Sequence, residues 1–451
     1  MPYSMRYGEG GKLLIGDIRC PCPSRHNEPT QDIYVGGGII ANVPEYIARR
    51  DIGKNCVLVA DNITWELAGS RVSQSLKEAG YHVTNCVITR PGRMEPDETA
   101  VGEVLLSLEP DTEFLVSVGS GSITDTTRVV AKRLEIPQVC IGTAPSMDGY
   151  TSSICPLTFR GVKIHRAGKC PEIIVCDTDV MKTAPMDMVC SGVGDVLGKF
   201  IAIADWKIGN IINGEVYCPV CGEIVMDALS RLLDNLDEIK ARTEKGIRIL
   251  TEALLLSGMT IMIIGHTRAV ASVEHNVAHY WEMMQLLHGK LPPSHGSSVG
   301  VATLLVLPVF KAFAKEDLSQ IDFEAIRKNR LEREDRVRWM YRAFEKTAAE
   351  SIMADNEGDF LSWEEQARRV RTAQERFEDI RRVINELPSP EKLESAMRFL
   401  GCEMKPADCG VDDKLLNMSM RCAKDYRTRY TLFKLISECG LEDKYLSQYP
   451  V

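Results

Sequence analysis

Four of the chain's eight histidines fall within VEHNVAHYWEMMQLLHGKLPPSHG, residues 273–296. Neutral imidazole is the commonest protein ligand for zinc, nickel and iron, and it also carries protons near neutral pH. His275 and His279 are four residues apart, which puts them on one face of a helix. His295 follows a Pro-Pro turn and opens the next apolar segment. The spacing therefore indicates a metal site or a proton-transfer site.

The order of the residues excludes the zinc-protease helix His-Glu-x-x-His, because Glu274 precedes His275 instead of lying between the two histidines. A carboxylate would complete a catalytic site for a divalent ion with an open position. Asp195 is the candidate, since it lies in the apolar stretch SGVGDVLGKFIAIADW, residues 191–206, where a buried carboxylate needs a cation or a donor. The same aspartate could instead be a helix N-cap, and both interpretations are open at this point.

VSVGSGSITDTTRVVAKRL, residues 116–134, places a glycine-containing turn between a strand-like and a helix-like segment. Backbone amides at the N-terminus of such a helix bind phosphate groups well. Gly119 and Gly121 would let a pyrophosphate approach, and Ser122 is expected to cap the helix and donate a hydrogen bond. The dinucleotide motif GxGxxG is incomplete because its third glycine is missing, so turn geometry alone is the alternative explanation.

Two further strand ends carry polar side chains. An aspartate at the end of a strand, as in VADNIT, commonly binds the hydroxyls of an adenosine ribose. The segment IGTAPSMDGYTSS, residues 141–153, groups four polar residues where open parallel sheets bind ligands. Turn or cap formation explains any one of these residues alone, whereas their grouping favours a ligand site. The residues concerned are Asp61, Thr143, Ser146, Asp148 and Ser152.

The composition is that of a soluble globular protein, with 44% hydrophobic and 26% charged residues among 451. A net charge of −9 excludes a nucleic-acid scaffold, which needs a basic face. Every apolar run is broken before the ~20 residues of a membrane span, and the N-terminal residues lack the apolar core of a secretory signal. Fifteen scattered cysteines indicate reduced thiols. These features predict a cytoplasmic protein.

Strand-like and helix-like segments alternate over the first 185 residues, which is typical of parallel strands with crossover helices. From residue 186 onward, helical periodicity dominates. The sequence therefore predicts an α/β nucleotide-binding domain over residues 1–185, followed by an all-α domain over residues 186–451. The predicted strands are CVLVA (56–60), HVTNCVI (82–88), FLVSV (114–118), QVCIG (138–142) and IIVCD (173–177).

The motifs GSGSITD, TAPSMDGYTS, SGVGDVLGK, EHNVAHYWE and HGSSVGVAT follow one another in this order. Together they resemble the bacterial glycerol-1-phosphate dehydrogenases of the AraM type. That family lies in the dehydroquinate synthase-like superfamily, with glycerol dehydrogenases and iron-containing alcohol dehydrogenases. The likeness extends over most of the chain, from CPCPSRH to RTRYTLFKL. It implies a dehydroquinate synthase-like fold, which agrees with the predicted domains, and a homo-oligomer.

The resemblance also implies a role for each candidate residue. Asp195, His275 and His295 would coordinate one divalent metal, which could be zinc, nickel or iron. Asp148 and His279 would be catalytic and, with Asp195, would contact a small phosphorylated substrate. NAD or NADP would be bound by residues of the strand-end turns, namely Asp61, Gly121, Ser122, Ile123, Thr124, Asp125, Thr143, Ser146 and Ser152.

The implied reaction is the reversible reduction of dihydroxyacetone phosphate to sn-glycerol 1-phosphate. A metal would polarise the carbonyl, and His279 would relay a proton to its oxygen. One alternative is a dehydrogenase for another polyol or sugar phosphate. A dehydroquinate synthase-like cyclase or lyase is another, although it typically has Glu where this chain has Asp195. A non-catalytic, ligand-sensing paralogue is a third. Asp61 favours NAD, whereas Arg128, in place of the family's usual lysine, could alter the cofactor preference.

Overall fold

A computed structural model describes residues 3–16, 18–160, 162–356 and 360–447. The chain forms two compact units. Unit 1 comprises Met1–Pro21, Arg25–Val196 and Pro219–His266. Unit 2 comprises Cys22–Ser24, Leu197–Cys218 and Thr267–Val451. The boundary between residues 185 and 186 that the sequence suggests for the two domains stays a prediction.

Unit 1 contains a six-stranded sheet in which every neighbouring pair is parallel, in the order β3-β10-β7-β6-β4-β5. Two antiparallel pairs, β1-β2 and β8-β9, lie outside it. The strands are β1 (Ser4–Tyr7), β2 (Leu13–Gly16), β3 (Asp32–Gly36), β4 (Asn55–Asp61), β5 (His82–Ile88), β6 (Phe114–Gly119), β7 (Gln138–Gly142), β8 (Ile154–Phe159), β9 (Val162–Ala167) and β10 (Ile173–Asp177).

The inner strands β10, β7, β6 and β4 are buried on both faces, because crossover connections place helices on either side of a parallel sheet. In β4, Leu58 and Ala60 belong to one hydrophobic core, whereas Val57 and Val59 belong to the other. The five predicted strands all lie in this sheet. Its sixth strand, β3, was not predicted, because DIYVG is short and ends at the first of three successive glycines.

The other long regular elements of the described chain are α-helices, and α7 begins at Met186. The helices are α1 (Val43–Arg50), α2 (Asn62–Thr64), α3 (Ser70–Glu78), α4 (Glu98–Leu106), α5 (Gly121–Leu134), α6 (Thr178–Met181), α7 (Met186–Asn213), α8 (Pro219–Leu233), α9 (Leu236–Lys240), α10 (Glu244–Ile264), α11 (Val273–Leu287), α12 (His295–Phe313), α13 (Phe323–Asn329), α14 (Arg333–Asp355), α15 (Trp363–Glu375), α16 (Phe377–Asn385), α17 (Pro390–Leu400), α18 (Asp413–Cys422), α19 (Leu432–Glu438) and α20 (Glu442–Tyr445). A parallel sheet in the N-terminal part and a mostly helical C-terminal half confirm the predicted fold class.

Two helices, α10 and α12, are long and apolar enough to cross a membrane by length and composition. In each of them, about four-fifths of the most apolar window is buried within the protein. A helix that is apolar on all sides is typical of the core of a large protein when neighbouring elements cover it. Both helices therefore have the character of core helices in a soluble protein.

Candidate active site

In unit 1, the turn after β6 leads directly into α5, which begins at Gly121. The first amide bonded within this helical turn is that of Thr124, which donates to the carbonyl of Ser120 at 3.0 Å. The amides of the first three residues of a helix precede such bonds and are the donors that phosphate groups use. The backbone of Gly121, Ser122 and Ile123 therefore has the geometry expected for a pyrophosphate, and its binding stays a prediction.

Two details of this turn differ from the expectation. Ser122 is not the helix cap, because α5 already begins at Gly121. Ser120 occupies the cap position, and its Oγ lies 2.6 Å from Oγ of Ser146. A Cβ added at Gly119 would lie 2.6 Å from Cβ of Ile123, so this glycine is required for α5 to pack on β6. Local packing therefore explains Gly119 without a phosphate.

Side chains further along α5 point into unit 1. Thr124 is fully buried and lies 3.5 Å from the Sγ of Cys140, and Asp125 accepts a hydrogen bond of 2.6 Å from Arg128. The guanidinium of Arg128 is also fully buried. It donates to three carbonyl oxygens of the loop after β7, those of Gly149, Tyr150 and Ile154. Arg128 thus holds a loop in place, a role that the sequence did not reveal.

Three of the residues predicted to bind the nucleotide, Thr143, Ser146 and Ser152, are all buried in that loop. The amide of Thr143 donates to the carbonyl of Gly119 at 3.2 Å, which joins the ends of β7 and β6. Oγ of Ser152 accepts from the amide of Ile154 at 2.9 Å. With Ser146 bonded across to the β6 turn, the loop and the helix N-terminus lie side by side at the carboxyl edge of the sheet. The structure therefore brings these predicted residues together, and their contact with a nucleotide stays a prediction.

The backbone of the loop after β7 packs closely against helices α7 and α10. A Cβ added at Gly192 of α7 would lie 1.9 Å from the carbonyl oxygen of Pro145. A Cβ added at Gly258 of α10 would lie 2.5 Å from the carbonyl oxygen of Asp148. The amide of Asp148 donates to Oδ2 of Asp195 at 2.9 Å. Asp195 is fully buried and well inside α7, so the interpretation as a helix N-cap is wrong.

Asp61, at the end of β4, has a local structural role. Its Oδ1 accepts hydrogen bonds from the amides of Ile63 and Thr64, at 2.9 and 2.7 Å. Oγ1 of Thr64 accepts in return from the amide of Asp61 at 3.0 Å, which completes a capping box. This cap explains why an aspartate stands at the strand end, and a contact with adenosine stays a prediction.

In unit 2, three histidines of the 273–296 segment come together. His275 and His279 lie on α11, and His295 is the first residue of α12. The ring centroids are 6.0 Å apart for His275 and His279, 5.3 Å for His275 and His295, and 5.0 Å for His279 and His295. A ring nitrogen of His275 and one of His295 lie within 4.8 Å of each other. Two imidazoles at this separation can share one metal ion.

Two buried glutamates accompany these histidines. Oε1 of Glu274 lies 2.7 Å from Nδ1 of His275, and Oε1 of Glu282 lies 2.8 Å from Nδ1 of His295. Neither glutamate was singled out as a functional residue from the sequence. The signal was present for Glu282, because it follows His279 by three residues and such pairs share a helix face.

A glycine of α7 lies next to His275 within unit 2. A Cβ added at Gly198 would lie 2.7 Å from Cγ1 of Val299 and 3.5 Å from Cε1 of His275. Val299 of α12 therefore lies too close to Gly198 for a side chain at that position, whereas His275 of α11 would be in ordinary van der Waals contact with it. Gly198 follows Asp195 by three residues in the same helix, a spacing at which helical residues are neighbours.

Asp205, fully buried further along α7, gives a test by pH. Its carboxylate accepts from Oγ of Ser272 at 2.6 Å and from the amide of Leu432 at 2.7 Å. Burial raises the pKa of Asp205 to about 7, despite these hydrogen bonds. The folded protein therefore holds a proton here that the unfolded chain releases above about pH 4, and this contribution to stability falls as pH rises from about 4 to about 7.

We expect Asp205→Asn to remove that pH dependence, because the amide is neutral and can still bond to both partners. The measurement is the thermal unfolding midpoint of both proteins from about pH 5 to about pH 8. As pH rises, the midpoint of the variant should increase relative to that of the unaltered protein. Asp187→Asn, at an exposed position, is the control and should follow the unaltered protein. Parallel curves for the unaltered protein and Asp205→Asn would show that Asp205 is ionised throughout.

The fold defines the class of protein to which the chain belongs. The family model of iron-containing alcohol dehydrogenase matches residues 34–185. The crystal structure of glycerol dehydrogenase from Schizosaccharomyces pombe is similar, with a TM-score of 0.58 and 17% identity, covering 94% of this chain and 91% of that one. At this identity the likeness shows the fold alone. It is the dehydroquinate synthase-like fold that the sequence predicted.

Relatives of higher identity define the family. The glycerol-1-phosphate dehydrogenase (NAD(P)+) of Halalkalibacterium halodurans is 30% identical over 422 residues, which are 93% of this chain and 95% of the relative. The enzyme of the same name from Geobacillus thermodenitrificans is 31% identical over 391 residues, 86% of this chain and 88% of the relative. The chain belongs to the glycerol-1-phosphate dehydrogenase family, and the resemblance noted in the sequence is confirmed.

Proposed function

We propose that the protein is a metal-dependent, NAD(P)-linked dehydrogenase that interconverts dihydroxyacetone phosphate and sn-glycerol 1-phosphate. The observation that carries this proposal is the match to enzymes named glycerol-1-phosphate dehydrogenase (NAD(P)+) over nearly the whole chain. An archaeal enzyme of the same name, from Methanosarcina acetivorans, is also similar, at 27% identity over 61% of this chain. The family is an oxidoreductase family, so an enzyme is favoured over a ligand-sensing paralogue.

Three side chains would hold the metal: Asp195, His275 and His295. Each imidazole has its Nδ1 against a buried glutamate, which leaves Nε2 as the nitrogen for a metal. Asp195 adds a buried carboxylate one helical turn before Gly198, which itself lies beside His275. One carboxylate and two imidazoles suit zinc, nickel and iron alike, so the donor set fits the group that the family implies.

The bound metal would act as a Lewis acid on the carbonyl, and the bound dinucleotide would supply the hydride. The chain's own task is then to orient the substrate and to move one proton. His279 is the proposed proton relay to the product oxygen. The ring of Tyr426 stacks near the imidazole, with 5.8 Å between the ring centroids and an interplanar angle of 27°, and restricts the orientation of His279. Asp148 would bind the substrate. Its loop is held in place because Asp195 accepts from the amide of Asp148 and the buried Arg128 donates to the carbonyl of Gly149.

The nucleotide would lie along the carboxyl edge of the sheet in unit 1. Its pyrophosphate would lie against the start of α5, residues 121–125, and accept from the amides of Gly121, Ser122 and Ile123. Thr143, Ser146 and Ser152 would face the nicotinamide, and Asp61 would lie near the adenosine. A carboxylate there repels the 2′-phosphate of NADP, which favours NAD.

A cytoplasmic location and a homo-oligomer complete the proposal. Burial of α10 and α12 as core helices supports a soluble enzyme. The oligomer is implied by the family resemblance. Light scattering during size-exclusion chromatography would measure the mass of the assembly directly.

The test uses the full chain reconstituted in parallel with zinc, nickel or ferrous iron. We expect dihydroxyacetone phosphate to oxidise NADH or NADPH, and unphosphorylated dihydroxyacetone to be a poor substrate. The product should be sn-glycerol 1-phosphate, as determined with a stereospecific sn-glycerol 3-phosphate dehydrogenase, which should not oxidise it. Formation of the 3-phosphate, or no turnover with any metal, would contradict the proposal.

A further inference from the structure

Glu282 lies between two of the clustered histidines and contacts both. Its side chain is 1% exposed, and its Oε1 is 2.8 Å from Nδ1 of His295. Its Oε2 is 3.5 Å from Nδ1 of His279, an ionic contact that is longer than a short hydrogen bond. The ring planes of His279 and His295 are within 16° of parallel. The carboxylate of Glu282 therefore faces Nδ1 of His279 and Nδ1 of His295.

A buried, ionised carboxylate only accepts hydrogen bonds, so the imidazole nitrogen that faces it must carry the proton. When Nδ1 carries the proton of a neutral imidazole, the lone pair is on Nε2. Glu282 therefore fixes the tautomer and the orientation of His295 through this short bond, and its charge favours the same tautomer in His279.

Glu274 repeats the arrangement for the remaining histidine. It is fully buried, and its Oε1 lies 2.7 Å from Nδ1 of His275. The same oxygen accepts from the amide of Ser272 at 2.9 Å, so the backbone before α11 holds the carboxylate in place. Every histidine of the cluster in unit 2 therefore has a buried carboxylate against Nδ1.

We propose that Glu282 is a positioning residue for the active site. It holds His295 in the tautomer whose Nε2 is available and, through the charge beside Nδ1, favours the same tautomer in His279, and Glu274 holds His275 in it. Nε2 is then the nitrogen that binds the metal at His275 and His295 and that exchanges a proton at His279. Glu282 links the two functions, because one carboxylate bonds to a metal ligand and lies beside the proton relay. The metal-binding part of this inference rests on the proposed function.

The experiment combines a measurement on the unaltered protein with a pair of variants. Nitrogen-15 NMR of the metal-free protein reports the tautomer of each imidazole, and we expect protonated Nδ1 at all three rings of the cluster. Glu282→Gln preserves shape, but its amide can accept from only one ring and must donate to the other. We expect it to change the nitrogen signals of His279 and His295 and to weaken the binding of zinc by about 10- to 100-fold.

Glu345→Gln is the matched control, because Glu345 pairs with the exposed His288 through an equally short contact of 2.8 Å. It should alter only the signals of His288 and leave the affinity for zinc unchanged. Protonated Nε2 at His295 in the unaltered protein would overturn the inference, even if Glu282→Gln failed to fold. Unchanged signals and zinc affinity in folded Glu282→Gln would also overturn it. If the unaltered protein bound no zinc, the proposed metal site would fail instead, and the tautomers would still decide the role of Glu282.

Discussion

Replacement of His275 by alanine is expected to leave a folded protein that no longer retains a divalent metal. His275 contributes a ring nitrogen within 4.8 Å of one from His295, and it is the residue held by the buried Glu274. With one of three proposed ligands removed, metal content after dialysis should fall to background. Dehydrogenase activity should fall by about 1,000-fold or more, which corresponds to roughly 4 kcal/mol of lost transition-state stabilisation.

The control is His288→Ala, since this histidine lies in the same segment but is exposed and paired with a surface glutamate. It should keep full metal content and activity. Circular dichroism and the unfolding midpoint would establish that both variants are folded. Unchanged metal content in His275→Ala would show that the proposed ligand set is wrong, whatever the substrate is.

Gly192→Ala is expected to have the largest effect on the folding of unit 1. The added Cβ would lie 1.9 Å from the carbonyl oxygen of Pro145, a backbone atom that can move only if the loop moves. Overpacking in a well-packed core costs about 1–3 kcal/mol and occasionally more, and this overlap with a main-chain atom is severe. The displaced loop carries Asp148, so its amide should lose the bond to Asp195. We expect a lower unfolding midpoint and weaker substrate binding in any protein that remains folded.

Gly102→Ala provides a matched helical control. Gly102 lies within α4, and a Cβ added there would meet no atom within 4 Å. Alanine is the better helix former by about 0.5–1 kcal/mol, so this variant should be as stable as the unaltered protein or slightly more stable. Equal stability of Gly192→Ala and Gly102→Ala would mean that the loop does not contact α7 as described.

The sheet could be predicted from the sequence because its inner strands are short, β-branched and apolar on both faces. That pattern predicted β4, β6, β7 and β10 nearly to the residue, and the partly exposed edge strand β5 was predicted as well. Two of the strands that were missed lack the pattern: β3 is cut short by glycines, and β8 (ICPLTF) carries Pro156. Their pairing depends on distant partners, such as β10 for β3, which local composition does not encode.

In the candidate site, His275 and His279 could be grouped from the sequence because their spacing places them on one helix face. The residues that hold the site in place could not be predicted from the sequence. From the sequence, Arg128 was expected only to alter the cofactor preference, yet it is fully buried and donates to the carbonyl oxygens of Gly149, Tyr150 and Ile154. Nothing in the local sequence distinguishes Gly192 and Gly258 from other glycines in helices, but in the structure the loop backbone lies against both. Such contacts join residues far apart in sequence, so they follow from the fold alone.

The direct contact of Gly192 and Gly258 with the loop backbone has a consequence for evolution and for engineering. The course of the loop is set by its main-chain contacts with these glycines and with Arg128, and by the hydroxyl groups of Ser146, Tyr150 and Ser152. Loop residues whose side chains make none of these contacts can therefore be exchanged one by one while the loop keeps its course. Libraries aimed at a new substrate or a different nicotinamide cofactor would do best to vary those residues and leave the two glycines, the arginine and the three hydroxyl residues unchanged.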